Sequence, residues 1–193
     1  MTNTMYYGKL LYCDTTNGPG CRTVLFVSGC RHHCKECFNQ DTWNFHYGKP
    51  FTQTEIDKII ESLQYPYIAG ITILGGEPME PENQPMILTL IKQIKQAYPN
   101  KTIWLYSGYT YEELTGQPSK HPRLVNPDTG LSLAYTPYTS QILQQLDVLV
   151  DGEFDISKKN LSLAFRGSTN QRLIDLSQTI QTNHIVLSDY TEK

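Results

Sequence analysis

Three cysteines within one short stretch carry the strongest chemical signal in this chain. Cys30, Cys34 and Cys37 lie in "SGCRHHCKECFN" (28–39) with C-x3-C-x2-C spacing. Two kinds of centre fit such a trio. A structural zinc site takes four tetrahedral Cys or His ligands, and His32, His33 and His46 are close enough in sequence to complete a Cys3His set. A 4Fe–4S cube normally takes four thiolates. Three thiolates would hold three corners and leave one iron open, as an open position separates catalytic from structural zinc. The triplet alone does not decide between zinc and iron–sulfur. The chain has five cysteines, an odd number, and 193 residues suffice to bury a core without staples. In a reducing compartment, clustered cysteines are more often ligands or catalytic groups than bridges. Cys13 and Cys21 form no second C-x2-C pair and are expected to be ordinary thiols.

The elements that must position the trio follow from periodicity. "RTVLFVS" (22–28), "ITIL" (71–74), "TIWLY" (102–106) and "DVLV" (147–150) read as buried strands. "FTQTEIDKIIESLQ" (51–64) reads as a helix, with Thr52 and Glu55 as a capping box and Ile56, Ile59, Ile60 and Leu63 on one face. The stretch 84–98 repeats that pattern, a further helix is expected over 138–146, and "LIDL" (173–176) and "HIVL" (184–187) are candidate late strands. Strands alternating with helices predict an α/β fold with a parallel sheet. Each clear strand runs into a glycine turn: "SGC", "LGGEP", "YSGY" and "VDG". Loops at the carboxyl ends of parallel strands open on one side, so a site is expected there. Residues 116–137 carry four prolines and two glycines and read as a long surface loop, either functional or a tolerated insertion.

Composition narrows the rest. Hydrophobic residues at 39% and charged residues at 18% are ordinary for a globular chain, and one domain spanning 1–193 is expected. The net charge of −3 and the absence of a Lys/Arg run argue against nucleic acid. Apolar runs reach only four residues, as in "VLFV", far short of a membrane span. The N-terminus lacks a basic region followed by an apolar core, so no secretory leader is expected and the location reads as cytoplasmic.

C-x3-C-x2-C after a first strand, with Gly75–Pro78 (GGEP) after a second, resembles the radical S-adenosylmethionine (SAM) enzymes. The pieces "NGPGCR" (17–22), "LFVSGCRHHCKECFN" (25–39), "ILGGEP" (73–78), "WLYSGYTYEEL" (104–114), "VLVDGEF" (148–154) and "RGSTNQRLIDL" (166–176) run through most of the chain. Together they are similar to the family that activates the anaerobic ribonucleoside-triphosphate reductase. Many radical SAM enzymes carry an aromatic residue just before the third cysteine, packed on the adenine. Here Glu36 stands there and Phe38 follows, a departure common among the reductase activators.

The resemblance implies a partial (β/α) barrel of the radical SAM type with a mainly parallel sheet. It implies that Cys30, Cys34 and Cys37 hold a 4Fe–4S cluster whose fourth iron is completed by SAM. Gly75, Gly76 and Glu77 would receive the methionine end, with Glu36, Cys37, Phe38 and Arg166 among the other SAM contacts. Ser168 and Asn170 would face SAM or the partner beside Arg166. Reductive cleavage of SAM would generate a glycyl radical on the large catalytic subunit of the reductase, with a low-potential donor such as flavodoxin supplying the electron. Two readings stand beside it. One is an activase of another glycyl-radical enzyme of the pyruvate formate-lyase type, against which "SGYTYEEL" and "RGSTNQR" speak. The other is a zinc-binding interaction module, which leaves the GGEP turn unexplained. Elsewhere, Asn17–Gly20 reads as a turn, Arg22 as a surface pair rather than an anion site, and Asp151 as either a ligand contact or a turn cap. His32 and His33 are expected to face solvent, and Trp43 and His46 to pack.

Overall fold

The structure is a computed structural model that describes residues 4–192. It opens with a hairpin that the expected βα alternation does not contain. β1 (Tyr6–Asp14) and β2 (Cys21–Val27) are joined by a short turn, too short for a crossover, so they pair antiparallel, with Leu10 opposite Leu25 and Leu11 opposite Val24. Cys13 and Cys21 are disulfide-bonded across the turn end of this hairpin, with Cα atoms 5.3 Å apart. They are therefore not the ordinary thiols expected: the hairpin brings them to bridging distance, a proximity invisible without β1. After the cysteine loop, β3 (Lys49–Pro50) adds to the outer edge of β1.

The next elements follow the expected order. α1 (Gln53–Leu63) starts at the Thr52/Glu55 capping box, where the Thr52 N–H donates to Glu55 Oε2 at 3.0 Å, and it buries Ile56, Ile59 and Leu63. β4 (Ile68–Gly75), α2 (Gln84–Ala97) and β5 (Thr102–Ser107) come next. The short helices α3 (Tyr111–Leu114) and α4 (Thr139–Leu143) precede β6 (Val148–Asp151). β7 (Arg172–Asp175) and α5 (Leu176–Thr182) complete the set. The segment "HIVL" touches β7 through a single bridge between Ile174 and Leu187.

The seven strands form one sheet in the order β3-β1-β2-β4-β5-β6-β7. The pairs β2–β4, β4–β5 and β5–β6 are parallel, while β3–β1, β1–β2 and β6–β7 are antiparallel. This corrects the expected fold. The sheet is mixed rather than mainly parallel, and its flanks belong to different strands, so a (β/α) barrel is not formed. The reason lies in the connections: β1 and β7 enter by links that carry no crossover helix over the sheet, and such strands return antiparallel.

Period-2 alternation divides the strands between two cores. Ile71, Ile73, Ile103, Leu105 and Leu149 face α1, α2 and α4 in the larger core. Trp104, Val148, Val150 and Leu173 face the other way and pack with Tyr106, Phe165 and Tyr190. On that second face Arg22 is fully buried, which corrects its reading as a surface pair. Its Nε donates to Thr72 Oγ1 (2.8 Å), and its Nη2 donates to the carbonyls of Ile71 (2.7 Å) and Thr102 (3.0 Å). Its guanidinium carbon lies 5.5 Å from the centre of the Trp104 ring. Burial pulls its pKa down to about 10, which leaves it charged at neutral pH. Truncating it leaves a cavity and orphaned carbonyls, so Arg22→Ala is expected to cost about 2–4 kcal/mol, read as a lower urea midpoint with an unchanged slope.

Candidate metal centre

The four adjacent strands β2, β4, β5 and β6 run the same way, so their glycine turns meet at one edge of the sheet. A cavity of about 210 Å³ lies there, and Cys30, Cys34, Cys37, Phe38, Gly75, Gly76 and Glu77 are among its walls. Seven of the nine residues expected at a metal and cofactor site thus converge. Glu36 and Arg166 do not line the cavity. Glu36 is exposed, and the Arg166 guanidinium donates through Nη2 to the Thr191 carbonyl at 3.1 Å.

Packing explains the glycines more directly than ligand approach does. A Cβ on Gly76 would sit 2.6 Å from the Gly29 carbonyl oxygen and 2.9 Å from that of Thr42, while Gly75 has φ +110° and abuts the backbone of Phe26 and Val27. Their lack of side chains lets the β4 turn lie against the root of the cysteine loop. There the Gly76 N–H donates to the Val27 carbonyl (2.8 Å) and the Glu77 N–H to that of Gly29 (2.7 Å). Asn83 joins the same two loops, its Nδ2 donating to the carbonyls of Ser28 (3.0 Å) and Glu77 (2.9 Å). Arg31 adds an ion pair to Glu80 and Glu82, both at 2.5 Å. Within the cysteine loop His33 (φ 50°) and Glu36 (φ 58°) hold left-handed backbone, which costs of order 1–3 kcal/mol each and persists only where the surroundings impose it.

Cys30, Cys34 and Cys37 are free thiols. Burial first, and then the charge of Glu77, drives the Cys30 thiol well above the ordinary range. Burial, aided by Glu153, pushes Cys34 up to about 11. Backbone N–H groups of His32 and His33 favour the thiolate of Cys30, and that of Phe154 favours the thiolate of Cys34. Cys30 and Cys34 keep their protons when alone and are furnished with hydrogen bonds for sulfur anions once a cation binds. Two buried polar atoms of the wall also lack partners, His32 Nε2 and Trp43 Nε1. The sulfurs fit a cationic group, and the unpartnered Trp43 N–H, which can only donate, fits an acceptor atom carried by that group. Among the described residues, no three His, Cys, Asp or Glu side chains are gathered as one metal ion needs.

His32, like Arg22, lies elsewhere than expected. It is only 3% exposed, against the expectation of a solvent-facing loop residue. Its Nδ1 lies 2.6 Å from Glu153 Oε1, and its Nε2 3.4 Å from Glu77 Oε2. Gly108 makes room for the ring, since a Cβ there would come within 2.8 Å of it, and Tyr109 packs edge-on at 4.4 Å. Burial opposes a charge on His32, but the Glu153 hydrogen bond and the nearby carboxylates outweigh it and raise the pKa. Glu77 is fully occupied by protein donors. Its Oε1 accepts from the Met79 N–H (2.8 Å) and Ser107 Oγ (2.9 Å), and its Oε2 from the Gly108 N–H (2.7 Å). Burial nonetheless lifts its pKa to about 7. Glu153 stood inside the quoted "VDGEF", but only the contact to His32 shows its use.

Other candidates serve the framework. Asp151 caps α3, accepting from the Tyr111 N–H at 2.7 Å, and pairs with Arg172. Asn170 Nδ2 donates to the Glu153 carbonyl (2.8 Å), and Ser168 Oγ accepts from the Asp155 N–H (3.2 Å), so both shape the loop after β6. His33 is exposed and stacks on Trp43 with ring centres 4.5 Å apart. His46 packs edge-on to Tyr6.

A family model described as a 4Fe-4S single cluster domain matches residues 16–174. The chain is 36% identical over 169 residues to the anaerobic ribonucleoside-triphosphate reductase-activating protein of Enterobacteria phage T4, a match covering 88% of this chain and 93% of that one. To the protein of the same name from Escherichia coli K12 it is 38% identical over 169 residues, covering 86% and 96%. To that of Pasteurella multocida it is 35% identical over 176 residues, covering 90% and 99%. With sulfur trio, loop order and near full-length similarity in agreement, this chain belongs to the family of anaerobic ribonucleoside-triphosphate reductase-activating proteins and carries a 4Fe-4S single cluster domain.

Proposed function

We propose that this chain is a radical SAM oxidoreductase that activates an anaerobic ribonucleoside-triphosphate reductase in the cytoplasm, with Cys30, Cys34 and Cys37 holding a 4Fe–4S cluster by three irons and SAM completing the fourth. The observation that carries the reading is the meeting of three free sulfurs with the Gly75–Glu77 turn on one cavity. When bound, the cluster supplies one electron, taken from a low-potential donor of the flavodoxin kind, for a reductive cleavage of SAM that leads to a glycyl radical on the large subunit of the reductase.

The chain's own residues supply position and enclosure. Glu77 spends its oxygens on three donors from the turns after β4 and β5, so its part is to set the shape and charge of the methionine end rather than to bond freely with it. Phe38, 75% exposed at the rim, and Phe154, with ring centres 5.9 Å apart, offer an apolar wall for an adenine where Glu36 does not. Tyr106 lines the cavity, and its hydroxyl donates to the Phe165 carbonyl (2.7 Å), which fixes the wall on the β5 side. Arg166, tied to Thr191, would help hold SAM through the wall rather than by lining it. Nothing in the reaction calls for nucleic acid or a membrane, and among the described residues no helix is long and apolar enough to cross one. The relatives' names point to the reductase rather than to a pyruvate formate-lyase type of enzyme.

Anaerobic reconstitution is expected to give a brown protein with about four irons and matching sulfide. Cys34→Ala should lose both SAM cleavage and stable iron; a chain that takes up zinc alone would instead support the interaction-module reading. Mixing the reduced protein and SAM with the reductase large subunit should produce the electron paramagnetic resonance doublet of a glycyl radical, and mixing with a pyruvate formate-lyase should not. Gly76→Ala forces the β4 turn off the cysteine loop, at about 1–3 kcal/mol of strain, and should weaken SAM binding roughly tenfold in a calorimetric titration of the reconstituted protein.

A further inference from the structure

The stretch 116–137 is built into the core and reaches the cysteine loop. Leu124 and Ala134 are fully buried with the larger core. Gln84, buried at the start of α2, ties the segment to the turn after β4. Its Nε2 donates to the carbonyls of Ala134 (2.7 Å) and Met79 (2.9 Å), and its Oε1 accepts from Thr136 Oγ1 (2.5 Å) and Thr139 Oγ1 (2.9 Å). From that base Arg123 extends to the arc between the first two cysteines. Its Nε donates to the Arg31 carbonyl (3.1 Å) and its Nη2 to the His32 carbonyl. His121 approaches the same arc from beside it: its Nε2 lies 2.8 Å from Glu153 Oε2, and the other oxygen of Glu153 meets His32 Nδ1.

We propose that Arg123, supported by His121 through Glu153, is a positioning residue for the metal centre, and that 116–137 is a strap holding the Cys30–Cys34 arc in the conformation that ligates. The inference rests on the reading of the three cysteines as cluster ligands. The physical ground is that the arc lies in no strand or helix and contains the left-handed His33, so its shape has to be imposed from outside. Two N–H groups of one guanidinium on consecutive carbonyls fix the peptide planes between Cys30 and Cys34. Partners that orient metal ligands in this way typically change metal affinity by about 10–100-fold when removed.

The test compares wild-type protein, Arg123→Ala, Arg123→Lys and Asp128→Ala after anaerobic reconstitution. The readouts are the rate at which an iron chelator bleaches the visible absorption and the paramagnetic spectrum of the reduced protein with and without SAM. Arg123 is exposed, so the thermal midpoint of the metal-free chains should be equal. Arg123→Ala is expected to bleach roughly tenfold faster with a broadened spectrum, and Arg123→Lys to recover part of the loss. Asp128→Ala, at an exposed turn of the same segment, should match wild type. Arg123→Ala bleaching at the wild-type rate, or Asp128→Ala bleaching as fast as Arg123→Ala, overturns the strap. A wild-type chain that takes up no iron overturns instead the ligand reading beneath it.

Discussion

A carboxylate and an imidazole buried side by side are costly unless their lone pairs and protons are matched, and the carboxyl edge of this sheet is organised around that requirement. Four turns leave the parallel strands with few backbone partners of their own. Glu77 collects donors from the turns after β4 and β5, while His32 binds Glu153 in the turn after β6. The cysteine loop is thereby joined to each of the other three turns. Glu77 has three protein donors of its own and His32 has Glu153, so each side chain is matched by a different turn and the two together tie the edge.

The sulfurs depend on this framework rather than on local propensity. Their loop has left-handed residues, a root pinned by the Gly76 and Glu77 amides, and an outer arc met by Arg123. Burial and nearby carboxylates make the Cys30 and Cys34 thiolates unfavourable in the free chain, while amide hydrogens stand ready to receive them. A centre of that kind releases protons as it fills, which couples metal uptake to loop order.

What could be read in advance followed how local each signal is. The helix at 53–63 carries a capping box, that at 84–97 a proline in its first turn, both carry apolar stripes, and the four central strands are short hydrophobic runs closed by glycine, so both classes were legible. β1 was not, because "YYGKLLYCD" is half-exposed and gains its identity from pairing with β2. With β1 unseen, the Cys13–Cys21 bridge and the mixed character of the sheet were hidden too. Spacing revealed the cysteine trio and the glycine turn, since both are short-range patterns. His32 and Arg22 were misplaced because their burial comes from contacts with residues 121 and 50 positions away.

The outer flank of the sheet has a consequence for how the molecule behaves in company. β3 is only two residues long and consists of Lys49 and Pro50, the second without an N–H to offer. A strand from another copy that approached this border would meet a cation and a missing donor instead of a ladder to extend. β3 thus blunts the border beside Tyr6 and Tyr7, while the remainder of β1 up to Asp14 has no strand on its outer side among the described residues and is where another strand could still add.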